Sequence, residues 1–225
     1  MGNAIGDILP LAIAIVLSPF PIIGLILILF TKRARINSLF FLLGWIVGLA
    51  VVAAVVIALV NAGRISAGSE STEQGASLLQ LLLGLALIFF GFREWKARPK
   101  VGEVVATPKW METIDSIGPG GTFGLAFLLS GVNPKNLLIN VGAAVIIGQA
   151  PLDTTQTVIV TTIYILIASI SILGLVVYYQ VAGENAEKVL TSMKAWLIKN
   201  NTAVMAVLLF VFGAKFVGDF ISGIF

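Results

Sequence analysis

Ser-Pro-Phe-Pro at residues 18–21 and Asn-Pro-Lys-Asn at residues 133–136 each interrupt a long apolar stretch of this 225-residue chain. Proline inside a helix removes a backbone hydrogen bond and disfavours helix at the residue before it, so both stretches are predicted to be broken helices. When Pro19 is aligned with Pro134, Ser18 falls on Asn133. Matched breaks of this kind predict a chain built from two related halves.

The composition is that of an integral membrane protein. Hydrophobic residues make up 58% of the chain and charged residues 11%, and the mean hydropathy is +1.04. The chain contains no Cys and no His, which argues against disulfides and against the usual zinc, copper and haem ligands, so we expect no metal and no cofactor. Basic residues flanking membrane spans account for the net charge of +3, and nucleic-acid binding is not expected.

Six apolar segments are long enough to cross a bilayer as helices, which takes about 20 residues. Their unbroken apolarity excludes the alternating pattern of a membrane barrel. The first segment is not predicted to be a signal peptide, because Asp7 replaces the basic start and prolines interrupt the apolar run. The predicted spans cover approximately residues 6–30, 38–60, 76–92, 121–147, 156–181 and 202–221.

Lys and Arg collect in the first, third and fifth connections. By the positive-inside rule these connections are cytoplasmic, which puts both termini on the extracytoplasmic side. The third connection separates two sets of three spans, and because three is odd the halves insert in opposite orientations. We therefore predict an all-α membrane protein with six transmembrane helices as a 3+3 inverted repeat, in which helices 1 and 4 are broken. The predicted units are residues 1–95, the first three-helix repeat; 96–119, a cytoplasmic connector; and 120–225, the second three-helix repeat.

Two polar segments have the pattern of amphipathic helices lying at the membrane surface. In the connector, Trp110, Met111, Ile114 and Ile117 recur at helical spacing, and residues 189–197 repeat this pattern among lysines. Interfacial anchoring is the simpler interpretation, and a partner-binding role is the other.

Lys135 is the residue most indicative of function. A charge near the bilayer centre costs at least ~2.5 to 3.5 kcal/mol, and no Asp or Glu is predicted at its depth, so Lys135 is expected to lack a carboxylate partner. Such a cation suggests an anionic substrate group, whereas a lysine satisfied by carbonyls at the break is the structural alternative. The prolines are expected to free the carbonyls of Ile15, Leu17 and Ser130.

The amides of Asn133, Asn136 and Asn140 would share one helix face if the helix continued through the motif. They could bind a polar ligand or hold neighbouring helices together. The predicted substrate-binding residues are Ser18, Pro19, Pro21, Asn133, Pro134, Lys135, Asn136 and Asn140. Ser18 with Lys135 is the single candidate catalytic pair, and we do not expect an enzyme.

Five stretches resemble the GAP family, which includes the sulfolipid-addressing and glycopeptidolipid-addressing proteins of the LysE transporter superfamily. They are SPFPIIGLILILF from residue 18, FLLGWIVGL from 41, PKWM from 108, LLSGVNPKNLL from 128 and NNTAVMAVLLFVFGAK from 200. The resemblance implies an inverted-repeat exporter of small molecules or lipid precursors in the cytoplasmic membrane of a prokaryote. It places the family's Asn-Pro-Lys signature on Asn133, Pro134 and Lys135, and its first-span proline signature on Ser18, Pro19 and Pro21.

The sequence therefore predicts an exporter that works by alternating access around a midplane site between helices 1 and 4. Its expected partners are the lipid bilayer and a small-molecule or lipid substrate, and faces rich in small residues permit a homodimer. The alternative is a non-transporting membrane scaffold that assists a lipid exporter or synthase.

Overall fold

The computed structural model describes residues 1–63, 73–98, 114 and 117–222, and all regular structure in these ranges is helical. A π-helical turn (Leu128–Val132) joins α5 to α6, and a 3₁₀ turn (Gly183–Ala186) joins α8 to α9. The helices are α1 (Gly2–Val16), α2 (Pro19–Leu29), α3 (Ala34–Asn61), α4 (Glu73–Lys96), α5 (Pro119–Phe127), α6 (Pro134–Gln149), α7 (Thr154–Ala168), α8 (Ile170–Ala182) and α9 (Glu187–Ser222).

The described residues contain two helices, α3 and α9, that are long and apolar enough to cross a membrane. The pair α1 and α2, bent by 47°, and the pair α7 and α8, bent by 55°, raise the number to four if each pair forms one span. These positions match predicted spans one, two, five and six. The chain is thus a helical membrane protein, while spans three and four, and with them the six-span repeat, stay predictions.

Helix α9 differs from the prediction of a separate surface helix at residues 189–197. That segment and the last predicted span form one continuous helix of 36 residues. No Pro or Gly lies between Glu187 and Thr202, so nothing in the local sequence ends the helix between them.

Helix α2 lies at the centre of the bundle, since nine of its 11 residues are buried. It packs against α3, α8 and α9, while α1 packs against α6 and α7. A helix that is apolar on all sides is expected to be surrounded by other helices. The α2 side of the break, at Ser18 and Pro19, is consequently buried, while Leu17 before it is 48% exposed.

Glycines set the closest approaches between helices. A Cβ at Gly44 or Gly48 of α3 would collide with Phe123 or Ser130, so α3 packs backbone to backbone against α5 and the π-helical turn. A Cβ at Gly84 of α4 would lie 2.9 Å from the carbonyl oxygen of Gly213 on α9. Small residues at helix crossings are the usual means of close packing in membranes.

Most of the connector at residues 96–119 lies outside the described residues, including Trp110 and Met111 of the predicted amphipathic helix. Ile114 is buried, and the carbonyl of Ile117 accepts a hydrogen bond from Asn37 Nδ2 at 3.1 Å. This end of the connector therefore packs on the start of α3.

Candidate functional site: two helix breaks that meet at Lys135 and Phe20

The first break has the geometry that its prolines predict. Helix α1 ends at Val16, Ser18 is extended with φ −67° and ψ 113°, and Pro19 is the first residue of α2. Ser18 is 2% exposed, and its side chain makes no capping hydrogen bond. The carbonyl of Ile15, expected to be free, instead accepts a hydrogen bond from Ser18 N at 3.0 Å. The prediction for Ile15 was wrong because the chain closes a tighter final turn before it leaves the helix.

The second break is built differently. The π-helical turn ends where Asn133 N donates to the carbonyl of Leu128 at 2.8 Å. Asn133 then adopts ψ 119°, and its Oδ1 accepts from Lys135 N at 3.3 Å, which caps α6. A face shared by three amides was expected only if the helix continued through the motif. The helix breaks at Asn133, so this residue does not continue the face of Asn136 and Asn140.

Asn136 and Asn140 bridge backbone segments inside the bundle. The Nδ2 of Asn136 donates to the carbonyl of Leu129 at 2.9 Å, and the Nδ2 of Asn140 donates to the carbonyl of Leu49 on α3 at 3.2 Å. Both residues are fully buried. These contacts favour the interpretation that the amides hold helices together. Their Oδ1 atoms have no hydrogen-bond partner in the described part of the chain, so each could accept from a donor group.

The two breaks meet at Lys135 and Phe20. Lys135 is the second residue of α6, Phe20 is the second residue of α2, and Lys135 Nζ lies 5.5 Å from the centroid of the Phe20 ring. This distance is within the range of a cation–π interaction. The broken segments chosen from the sequence therefore come together, and they present a cation and an aromatic face to each other.

Lys135 has a carboxylate partner, which corrects the expectation that it would have none. Its Nζ lies 2.6 Å from Oε1 of Glu94, and the two side chains are 13% and 19% exposed. Glu94 lies two residues beyond the end of predicted span three, so there was no reason from the sequence to expect it inside the bundle. In the structure α4 continues to Lys96, so Glu94 lies on its last turn and faces the bundle.

The ion pair also bears on the depth of Lys135. Glu94 stands two residues before the end of α4, and Lys135 must lie within side-chain reach of it. The charge of Lys135 therefore lies closer to the end of α4 than the predicted midplane position would place it. Partly buried ion pairs with short contacts are charge-assisted hydrogen bonds, roughly twice as strong as neutral ones.

The structure contains a third break that the sequence did not reveal. Helices α7 and α8 bend by 55° at Ser169, within predicted span five. No proline lies near this bend, and the nearest glycine is Gly174. Ser169 is 2% exposed, and its Oγ has no partner among the described atoms. A serine between helices is a known kink site but a weak signal by itself.

A second Lys–carboxylate pair lies at the opposite end of α6. Lys215 Nζ contacts Asp219 Oδ2 at 2.6 Å on α9, with side chains 30% and 36% exposed. The pair lines a cavity of about 410 Å³ together with Asp7 and Gln149. Across the described ranges no cluster of three or more His, Cys, Asp or Glu side chains could hold a metal ion.

A family model described as Sap, sulfolipid-1-addressing protein, matches residues 8–222 of the chain. The matched range contains both breaks and every predicted site residue. No curated protein matches the chain significantly. No solved structure does so either.

Proposed function

Because the chain belongs to the sulfolipid-1-addressing protein family, we propose that it is a membrane transporter that exports a small molecule or lipid precursor bearing an anionic group. In this proposal the chain forms six spans as two inverted halves of three. The two halves rock against each other, and the site between the broken helices opens alternately to either side of the membrane.

The ion pair between Lys135 and Glu94 is the observation that supports this function best. An anionic substrate group can replace the Glu94 carboxylate on Lys135, so the lysine exchanges one anion for another. A neutral ligand that displaced Glu94 would leave two unpaired charges in a partly buried site, which is strongly unfavourable. The site therefore favours anionic ligands, and Glu94 balances the charge of Lys135 when no substrate is bound.

Phe20 gives the same site an apolar side. Its ring lies 5.5 Å from Lys135 Nζ, so a ligand held there contacts a cation and an aromatic surface together. Amphiphilic anions, with a charged head next to a hydrocarbon part, match this arrangement. Ser18, Asn136 and Asn140 add buried polar groups near the breaks, and we assign them to hydrogen bonding with the polar part of the substrate.

Transport can be tested with the purified chain in proteoliposomes that contain an NBD-labelled lipid sulfate. Dithionite quenches the label in the outer leaflet, so the rate of quenching reports movement between leaflets. The wild-type chain is expected to accelerate this movement, and Lys135→Gln is expected to abolish it while the protein stays folded. Glu94→Gln should retain binding of the anion but alter the rate, because the competing carboxylate is lost.

The matched control is Lys215→Gln, which removes a lysine that also contacts a carboxylate at 2.6 Å but lies away from the breaks. It should leave the rate of quenching close to that of the wild type. If Lys135→Gln moves the labelled lipid as fast as the wild type does, the site assignment is wrong. If the wild-type chain moves none of several labelled anionic lipids, transport by this chain alone is wrong.

The alternative function, a scaffold for a separate lipid exporter or synthase, has one specific observation in its favour. Trp196 on the first half of α9 is 58% exposed and lies between Lys194 and Lys199. A scaffold that recruits partners through this face should lose more function on Trp196→Ala, or on deletion of residues 99–118, than on Lys135→Gln. Complementation of a strain lacking the chain distinguishes the two functions.

A further inference from the structure

A basic crevice lies where α2, α3 and α8 meet. It is an open crevice of about 350 Å³, and its lining includes Lys32, Arg33, Arg35, Ile36 and Tyr179. The eleven residues of α2 separate it from the break at Ser18, which is about 16 Å along a helix. The crevice is therefore a different place from the site at Lys135.

The crevice has an excess of positive charge among the residues that the structure describes. In the described part of the chain, no carboxylate forms an ion pair with Lys32, Arg33 or Arg35. Helix α3 begins here at Ala34, with no acidic residue in its first turn and no side-chain cap. The positive end of the helix dipole thus adds to the field of the three side chains.

The crevice is held in shape by contacts between distant parts of the chain. The Nε2 of Gln180 on α8 donates to the carbonyl of Arg35 at 2.9 Å and contacts Ser38 Oγ at 3.2 Å. These bonds fix α8, and with it Tyr179, against the start of α3. The positive-inside rule accounts for basic residues in a connection, but it does not require them to share a crevice with a tyrosine 140 or more residues away along the chain.

An apolar stripe continues from the crevice along α3. Ile36 lines the crevice, and Leu39, Phe40 and Leu43 follow it at helical spacing on the same face. These four side chains are 39% to 54% exposed. A charged end joined to an exposed apolar ridge is the shape that a lipid with an anionic headgroup would cover.

We propose that this crevice binds the phosphate headgroup of an anionic bilayer lipid, whose acyl chains lie along the stripe of α3. The phosphate oxygens accept hydrogen bonds from Arg33 and Arg35, with Lys32 and Tyr179 beside them. Bidentate guanidinium contacts suit a phosphate better than a monovalent halide. A zwitterionic headgroup carries the same phosphate together with a cationic group, which the three basic side chains repel. This binding does not depend on transport by the chain.

The full-length protein in detergent can be titrated with phosphatidylglycerol, phosphatidylcholine or inorganic phosphate, and native mass spectrometry counts the bound molecules. A basic residue beside a bound anionic headgroup contributes about a fivefold gain in affinity for that lipid. Arg33→Gln/Arg35→Gln should therefore weaken binding of phosphatidylglycerol roughly thirtyfold. Lys188→Gln/Lys199→Gln removes the same charge from exposed positions of α9, and it should change binding less than about twofold.

A second variant tests the stripe. Leu39→Ser/Leu43→Ser should weaken binding of phosphatidylglycerol and leave the weak binding of inorganic phosphate unchanged. Equal losses in the two charge variants would overturn the proposal, as would equal binding of phosphatidylcholine. Binding of inorganic phosphate as tightly as the lipid would also overturn it, since the crevice would then be a site for a free anion. If the double arginine variant does not elute as a folded monodisperse species, Arg35→Gln alone must show the fivefold loss.

Discussion

The contact between Lys135 and Glu94 should contribute measurably to stability, and a double-mutant cycle can isolate its contribution. The two side chains are 13% and 19% exposed and 2.6 Å apart. Breaking a fully buried ion pair costs about 3–5 kcal/mol, while a hydrogen bond to a charged group contributes about 1.5–3 kcal/mol. Since this pair is partly exposed, we expect a coupling free energy of about 2 kcal/mol.

The cycle uses Glu94→Leu, Lys135→Met and the double variant, each unfolded at equilibrium in mixed micelles with increasing SDS. Each single variant leaves one partly buried charge unpaired, so each should be clearly less stable than the wild type. The double variant should recover much of the loss, because apolar residues of similar volume replace both charges. The control cycle at Lys215 and Asp219, which are 30% and 36% exposed on one helix, should give only about 0.3–0.5 kcal/mol. Equal coupling in the two cycles, or additive losses at Glu94 and Lys135, would refute the reasoning.

Three further predictions concern packing and orientation. Gly48→Ala should destabilise the bundle by about 1–3 kcal/mol in the same SDS titration, because there is no space for the added Cβ. The control Gly124→Ala should not destabilise it, since no atom lies within 4 Å of the new Cβ. Asn140→Leu should cost about 1 kcal/mol through loss of the hydrogen bond to α3, with no loss if that bond is absent in the membrane. Because the chain contains no Cys, single introduced cysteines can report which side of the membrane a residue faces. Gly2→Cys should react with an impermeant maleimide added outside cells, and Lys32→Cys should not. The reverse labelling would contradict the predicted topology.

The broken helices were predictable because proline acts on its own backbone. Pro19 and Pro134 disfavour helix at the residues before them whatever surrounds them, and the structure bends or interrupts the chain at both. The bend at Ser169 was not predictable in this way. It has no proline, so its cause lies in the packing of α7 and α8 against their neighbours. The local sequence does not determine that packing.

The two breaks of the candidate site were predictable from the sequence, whereas the depth of Lys135 and its charge balance were not. Lys135 was identified from its place in an apolar segment, and the meeting of the two breaks was expected from their matched positions. The contact with Glu94 joins residues 41 positions apart in the sequence, and it depends on how far α4 extends and how it is rotated. Those two quantities are set by packing against α9, which is the most extensive helix contact in the described part of the chain.

The π-helical turn at Leu128–Val132 couples two surfaces that otherwise appear independent. Relative to an α-helix, such a turn contains one extra residue, which corresponds to about 100° of rotation and 1.5 Å of rise. Return of this turn to α-helical geometry would rotate α5 relative to α6, so the backbone contact of α5 with Gly44 and Gly48 and the pairing of Lys135 with Glu94 could not both persist. Deletion of one residue from the turn would therefore break either the close crossing of α3 with α5 or the ion pair of Lys135 with Glu94.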